Sequence, residues 1–140
     1  MTGAGDAAVA AGDRGRVGRF VAVGCVAAAV HWSVVRAVVE AGIAAPLLAN
    51  VLGWVVAFGV SFAGHHRWTF GDAPGRDARR SLPRFLVVSL AGFVVNEATY
   101  AALLGGLGGW RYDVVLAVVL VAVAGLTFVA SRLWAFRGRH

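Results

Sequence analysis

The chain has 140 residues, of which 59% are hydrophobic and only 14% charged. A soluble domain carries roughly a quarter charged residues, so an ordinary soluble enzyme and a disordered chain are both excluded. The formal net charge is +6 and all 13 basic residues are arginine. In so apolar a chain that excess reports membrane topology rather than nucleic-acid binding.

A membrane-spanning helix needs roughly 20 apolar residues, and the chain offers four such runs. In order they cover residues 20–39, 47–64 (after Pro46), 85–104 and 114–130. In lipid every backbone polar group must be satisfied within the segment, so each run is expected to be a helix. The fold expected is therefore all-α, integral to the membrane, with four transmembrane helices. Arg14, Arg16 and Arg19 precede the first run and resemble the start of a signal peptide. The apolar run is too long for a cleaved signal, so it reads as an uncleaved first helix. Residues 1–18 and 137–140 are read as cytoplasmic tails, the first of them mobile. Cys25 stands alone, which excludes an internal disulfide and a thiolate metal cluster. It reads as a small packing residue.

Arginine placement gives the orientation. Eleven of the 13 lie before the first run, between the second and third, or after the fourth; only Arg36 and Arg111 lie at the other two turns. Both termini and the middle loop, about 67–84, are thus expected in the cytoplasm. That loop, with its arginines, Gly71, Pro74, Gly75 and Pro83, could meet anionic lipid or a partner enzyme, or simply be solvated.

The chain repeats itself. Arg19-Phe20 opens the first run and Arg84-Phe85 the third, while Phe62, Trp68 and Phe70 match Phe128, Trp134 and Phe136 in spacing. Repeat one covers 19–70 and repeat two 84–136. Each is a helical hairpin, so both halves point the same way and a pseudo-twofold axis runs along the membrane normal.

Polar residues inside apolar runs carry the functional signal. His31 lies 12 residues after Arg19, and Asn96 and Glu97 lie 12 and 13 after Arg84. At 1.5 Å per residue that is about 18 Å into each helix, close to the midplane. Glu97 needs a partner there, with His31 and Arg36 as candidates. The group reads as a track for a polar head group, as a proton-sensitive pair coupling transport to the proton gradient, or as an interhelical hydrogen bond between helices 1 and 3. Ala49, Gly53, Ala57 and Ser61 recur every fourth residue and form a small stripe for close helix approach. Asn50 borders this stripe. On helix 3, Ser89, Gly92, Asn96 and Thr99 share a face expected to point inward. At the other end, His66, Arg67 and Trp68, with Arg132 and Trp134, could bind a lipid phosphate and a sugar or isoprenoid. The alternative is an aromatic belt with topology-setting arginines. His65 and His66 diverge by about 100° on a helix, so they do not form a metal site. No nucleophile–base arrangement, phosphate loop or metal-ligand spacing is present, so neither catalysis nor a cofactor is expected.

R-F-V-A-V-G (19–24), A-N (49–50), S-F-A-G-H-H-R-W-T-F (61–70), R-F-L-V-V (84–88) and T-F-V-A-S-R-L-W-A-F (127–136) together resemble the GtrA-like family of small four-helix bacterial membrane proteins. The resemblance spans 19–136. The family commonly has Asn-Arg where this chain has His65-His66 and Ser131-Arg132, and a carboxylate where it has His31. The resemblance implies a bacterial inner-membrane protein of cell-surface polysaccharide synthesis. Such a protein would flip a polyprenyl-phosphate-linked sugar, or anchor the glycosyltransferase that uses one. Residues expected to meet the substrate are His66, Arg67, Trp68, Arg132, Trp134, His31, Asn50, Asn96 and Glu97. A homo-oligomer is expected to widen the hydrophilic path. A proton-coupled exporter built on Glu97 is a third reading.

Overall fold

A computed structural model describes residues 3–69, 71, 78–106 and 108–136, with side chains for residues 12, 14–69, 71, 82–106 and 108–126. It is all-helical among these: α1 (Gly3–Glu40), α2 (Pro46–Gly64), α3 (Ala78–Gly106) and α4 (Tyr112–Phe136). Each expected span falls inside one helix. Among the described residues, Arg14–Glu40, Pro46–Thr69 and Leu82–Gly106 are long and apolar enough to cross a membrane, and Tyr112–Leu126 is a shorter apolar helix. The outer surface agrees with a lipid environment: Val87, Val88 and Val121 are 67%, 72% and 74% exposed. So large an apolar surface has no place on a soluble monomer.

Three boundaries differ from the sequence reading. Segment 3–18, read as tail, is helical and continuous with α1, as its alanines favour. The middle loop is shorter than 67–84. The chain stays helical beyond Gly64 as one π-helical turn, His65–Thr69, and α3 already begins at Ala78. Pro83 sits in the second turn of α3, where only the bond to the carbonyl four residues earlier is lost. Cys25 is exposed rather than packed.

Two tight turns close the hairpins. Gly42 takes a positive φ of 69° after α1, and Ile43 N–H donates to Val38 O at 3.0 Å. These are the marks of a glycine-terminated helix. Pro46 then opens α2 at a position where its missing N–H costs nothing. Around the bundle α1 packs on α2, α2 on α3, α3 on α4, and α4 returns to α1.

The small stripe packs α2 on α1. Ala49, Gly53 and Ala57 are buried, and a Cβ on Gly53 would lie 2.6 Å from His31 Cδ2 and 2.9 Å from His31 O. Gly64 serves the same purpose lower down, facing Val23. The apolar core lies toward the turn end: Val35, Ala49, Tyr100, Val115, Leu116 and Val119. Two bonds tie α4 in there. Trp32 Nε1 donates to Asp113 O at 2.9 Å, and Tyr100 Oη donates to Tyr112 O at 3.1 Å. Arg111 grips Asp113 through Nε at 3.1 Å and Nη2 at 2.8 Å.

The inward face of α3 is rotated from the one expected. Ser89, Phe93, Asn96 and Tyr100 make the cross-helix contacts. Thr99 instead bonds its own helix at Val95 O, and nothing lies within 4 Å of a Cβ placed on Gly92. Bulky rings set the packing face here, and the small and polar residues flank it.

Candidate functional site

Three helices deliver four polar side chains to one place. His31 comes from α1, Asn50 from α2, and Asn96 and Glu97 from α3. The Asn50 carbonyl oxygen can only accept, so His31 Nε2–H donates to it, at 2.7 Å. The Asn50 amide then donates twice, to Asn96 Oδ1 at 2.9 Å and to Glu97 Oε2 at 2.5 Å. Its carbonyl and amide ends are thus both engaged. His31, Asn50 and Asn96 are buried, while Glu97 is half-buried. Hydrogen-bond donors and acceptors in apolar surroundings must find each other, which is why the four converge.

The partner of Glu97 is thus Asn50. Neither His31 nor Arg36 holds it, contrary to expectation. Arg36 turns outward, with Nε donating to Glu40 Oε1 at 2.6 Å and the guanidinium 5.3 Å from the Trp32 ring centroid. A long cationic side chain near a helix end reaches for the polar boundary. The link between α1 and α3 also runs through α2 rather than directly. Asn50 lies four residues into α2, about 6 Å along it, so the network sits between the bundle's middle and its turn end.

Below the network the α2–α3 seam is aromatic. Trp54 stacks on Phe93 with centroids 4.9 Å apart, and its Nε1 donates to Ser89 Oγ at 3.1 Å. Phe58 and Phe62 each approach Phe85 at 5.6 Å. Trp54, Phe58, Phe62 and His66 are four residues apart in turn, and successive rings lie 5.8, 6.4 and 5.6 Å apart. The ladder descends about 18 Å along α2, from the polar network to the π-helical turn. Trp54 and Phe93 were not singled out from the sequence, although the four-residue spacing of rings was there to read.

At the π-helical turn both Arg-Phe openings converge on His65. Phe20 stacks on its ring at 4.6 Å and Phe85 lies at 5.8 Å. His65 Nδ1 and Thr69 Oγ1 are 3.1 Å apart, and both residues are buried. His66 is half-buried against Phe62, while Arg67 and Trp68 are exposed. The backbone of Arg132 and Trp134 is in α4, but their side chains lie outside the described residues.

The two repeats are not equivalent at the site. At an offset of 65, His31 matches Asn96 and Trp32 matches Glu97. Asn50 matches Val115, or Leu116 at an offset of 66, and both are buried and apolar. The connecting amide exists in one hairpin only.

Long apolar helices, an apolar exterior and a buried polar network shared by three of them define a multi-pass membrane protein. The chain belongs to the GtrA/DPMS transmembrane-domain family, whose model matches residues 19–136. It is thereby a membrane protein of glycosyl-lipid pathways. Comparison with curated proteins and with solved structures returns no match.

Proposed function

We propose that this protein flips a polyprenyl-phosphate-linked sugar across the bacterial inner membrane for cell-surface polysaccharide synthesis or glycosylation. The observation that supports this reading most is the meeting of His31, Asn50, Asn96 and Glu97 within an otherwise apolar bundle. Ionisable residues within transmembrane segments mark substrate and ion pathways, among other functional roles. In this reading the termini and the π-helical turn face the cytoplasm. Arg67, His66 and Arg132 meet the phosphate there, with Trp68 and Trp134 beside it. The sugar passes the polar cluster while the isoprenoid stays in lipid, so the small bundle never encloses the tail. A homo-oligomer would widen the path.

The test uses the purified protein in proteoliposomes with a synthetic polyprenyl-phosphate monosaccharide. Sugar reaching the opposite leaflet is followed for wild type, Glu97→Gln and Arg132→Ala. Acceleration by wild type that falls in either variant supports flipping. No acceleration by folded protein favours an anchor that recruits a glycosyltransferase, which capture of that enzyme through the segment around 67–84 would then identify. Proton-driven export of unrelated cations would favour the exporter.

A further inference from the structure

We propose that the polar cluster selects sugars by charge. It accepts an uncharged sugar or an amino sugar and rejects a uronic acid, with Glu97 as the discriminating group and the Trp54–Phe93 stack as the platform for the ring. This rests on the reading that a glycolipid head group enters the bundle, and adds the class of sugar to it.

The first support is the charge balance. Asn50 holds one oxygen of the Glu97 carboxylate. Among the described residues no arginine reaches it: Arg36 is engaged by Glu40 and Arg111 by Asp113. His31 is separated from it by the Asn50 amide. Among the described residues the carboxylate therefore meets a ligand without a cation to offset a second negative charge. A like charge left unpaired in poorly solvated surroundings is an effective way to reject a competitor. Sugar hydroxyls and an ammonium group, by contrast, donate to Oε1, which holds no hydrogen bond among the described residues.

The second support is the register of the seam. Trp54 is four residues after Asn50 and Phe93 four before Glu97, so the ring stack is the rung next to the polar one. Four residues are one turn, about 6 Å, which is the width of a single pyranose. Trp54 remains half-buried, and Ser89 takes its indole N–H. That fixes the ring plane beside the polar groups. A rigid aromatic surface next to a few placed donors and acceptors is how compact polar ligands with apolar faces are held.

The test measures equilibrium binding to the full chain in nanodiscs. The ligands are short-chain polyprenyl phosphates carrying glucose, glucosamine or glucuronic acid, with the sugar-free polyprenyl phosphate as reference. Wild type is expected to bind the glucose and glucosamine compounds at least about ten-fold tighter than the glucuronate, a gap of 1.4 kcal/mol. Glu97→Gln, which can still accept from Asn50, is expected to close that gap to about two-fold. Trp54→Leu is expected to weaken the glucose, glucosamine and glucuronate compounds alike and leave the reference unchanged. Equal wild-type binding of glucuronate and glucose overturns the proposal, and so does discrimination that survives Glu97→Gln. Should Glu97→Gln fail to fold, the wild-type comparison still decides, and Glu97→Asp must retain the preference. Because binding is read without transport, discrimination without flipping upholds this selectivity and removes only the flippase reading. Flipping with no discrimination does the reverse.

Discussion

Asn50 and Glu97 face each other across the α2–α3 seam, with the amide nitrogen of one 2.5 Å from a carboxylate oxygen of the other. The same amide group serves Asn96, and its carbonyl serves His31. Asn50 is thus the residue through which α1 and α3 are joined, and its loss strands three partners at once. Asn50→Ala is expected to destabilise the bundle by about 1–3 kcal/mol, read as a lower midpoint of detergent-induced unfolding. Asn50→Ala with wild-type stability would show that the network contributes nothing to the fold.

Gly53 and Gly92 should respond oppositely to alanine. At Gly53 the new Cβ meets the His31 ring and backbone within 3 Å, so helix α1 must move away, at about 1–3 kcal/mol. At Gly92 nothing lies within 4 Å, and the change should be neutral or stabilising by up to about 1 kcal/mol. Thermal unfolding of the two variants side by side checks this. Gly53→Leu should prevent assembly of the bundle altogether.

Trp32 supplies a hydrogen bond from α1 to α4, beside the apolar core that Val35 shares with Val115, Leu116 and Val119. Trp32→Phe removes the donor to Asp113 O and keeps most of the ring. A loss of about 0.5–1.5 kcal/mol is expected, together with faster amide hydrogen exchange at the start of α4. Unchanged exchange in that turn would separate the bond from the docking of α4.

Acid should loosen the same turn. Hydrogen bonding from Arg111 holds the Asp113 carboxyl below the ordinary carboxylate range. A depressed folded value means the unfolded chain binds the proton more readily, so the contribution is present above about pH 4. It is lost as pH falls through the lower folded value. Arg111→Ala should return the Asp113 titration, followed by carboxyl carbon shifts, toward the ordinary range.

Orientation is testable with single cysteines. In a Cys25→Ser background, a cysteine at Gly71 should react with an impermeant thiol reagent only from the cytoplasm, and one at Gly108 only from the opposite side. Reversed labelling would invert the assignment drawn from the arginines.

The helices and the participants in the polar network were readable from the sequence because each obeys a rule of solvation. Long apolar runs must be helices in lipid, and His31, Asn96 and Glu97 are conspicuous inside them. The pairing was not readable. Distance along a helix sets the depth of a residue and says little of its azimuth, so the sequence offers His31 and Arg36 as partners for Glu97 and does not point to Asn50. Side-chain length decided the matter: Arg36 can reach the polar boundary and Asn50 cannot. The expected face of α3 holds at Ser89 and Asn96 and fails at Gly92 and Thr99, for a related reason. Ser89, Gly92, Asn96 and Thr99 share a polar or small character, but the face is set by where Phe93 and Tyr100 find partners. The π-helical turn had no signal in the residues; in the structure it is where Phe20 and Phe85 meet His65.

The amide that Asn50 supplies has no counterpart in the second hairpin, where Val115 and Leu116 stand. The two hairpins are therefore not interchangeable at this position. Two copies of the first hairpin would carry Asn50 twice and lack Glu97; two copies of the second would carry Glu97 twice and no Asn50 to hold it. Split between residues 71 and 78 and produced as separate fragments, the two hairpins should complement one another, whereas neither should restore activity by pairing with itself.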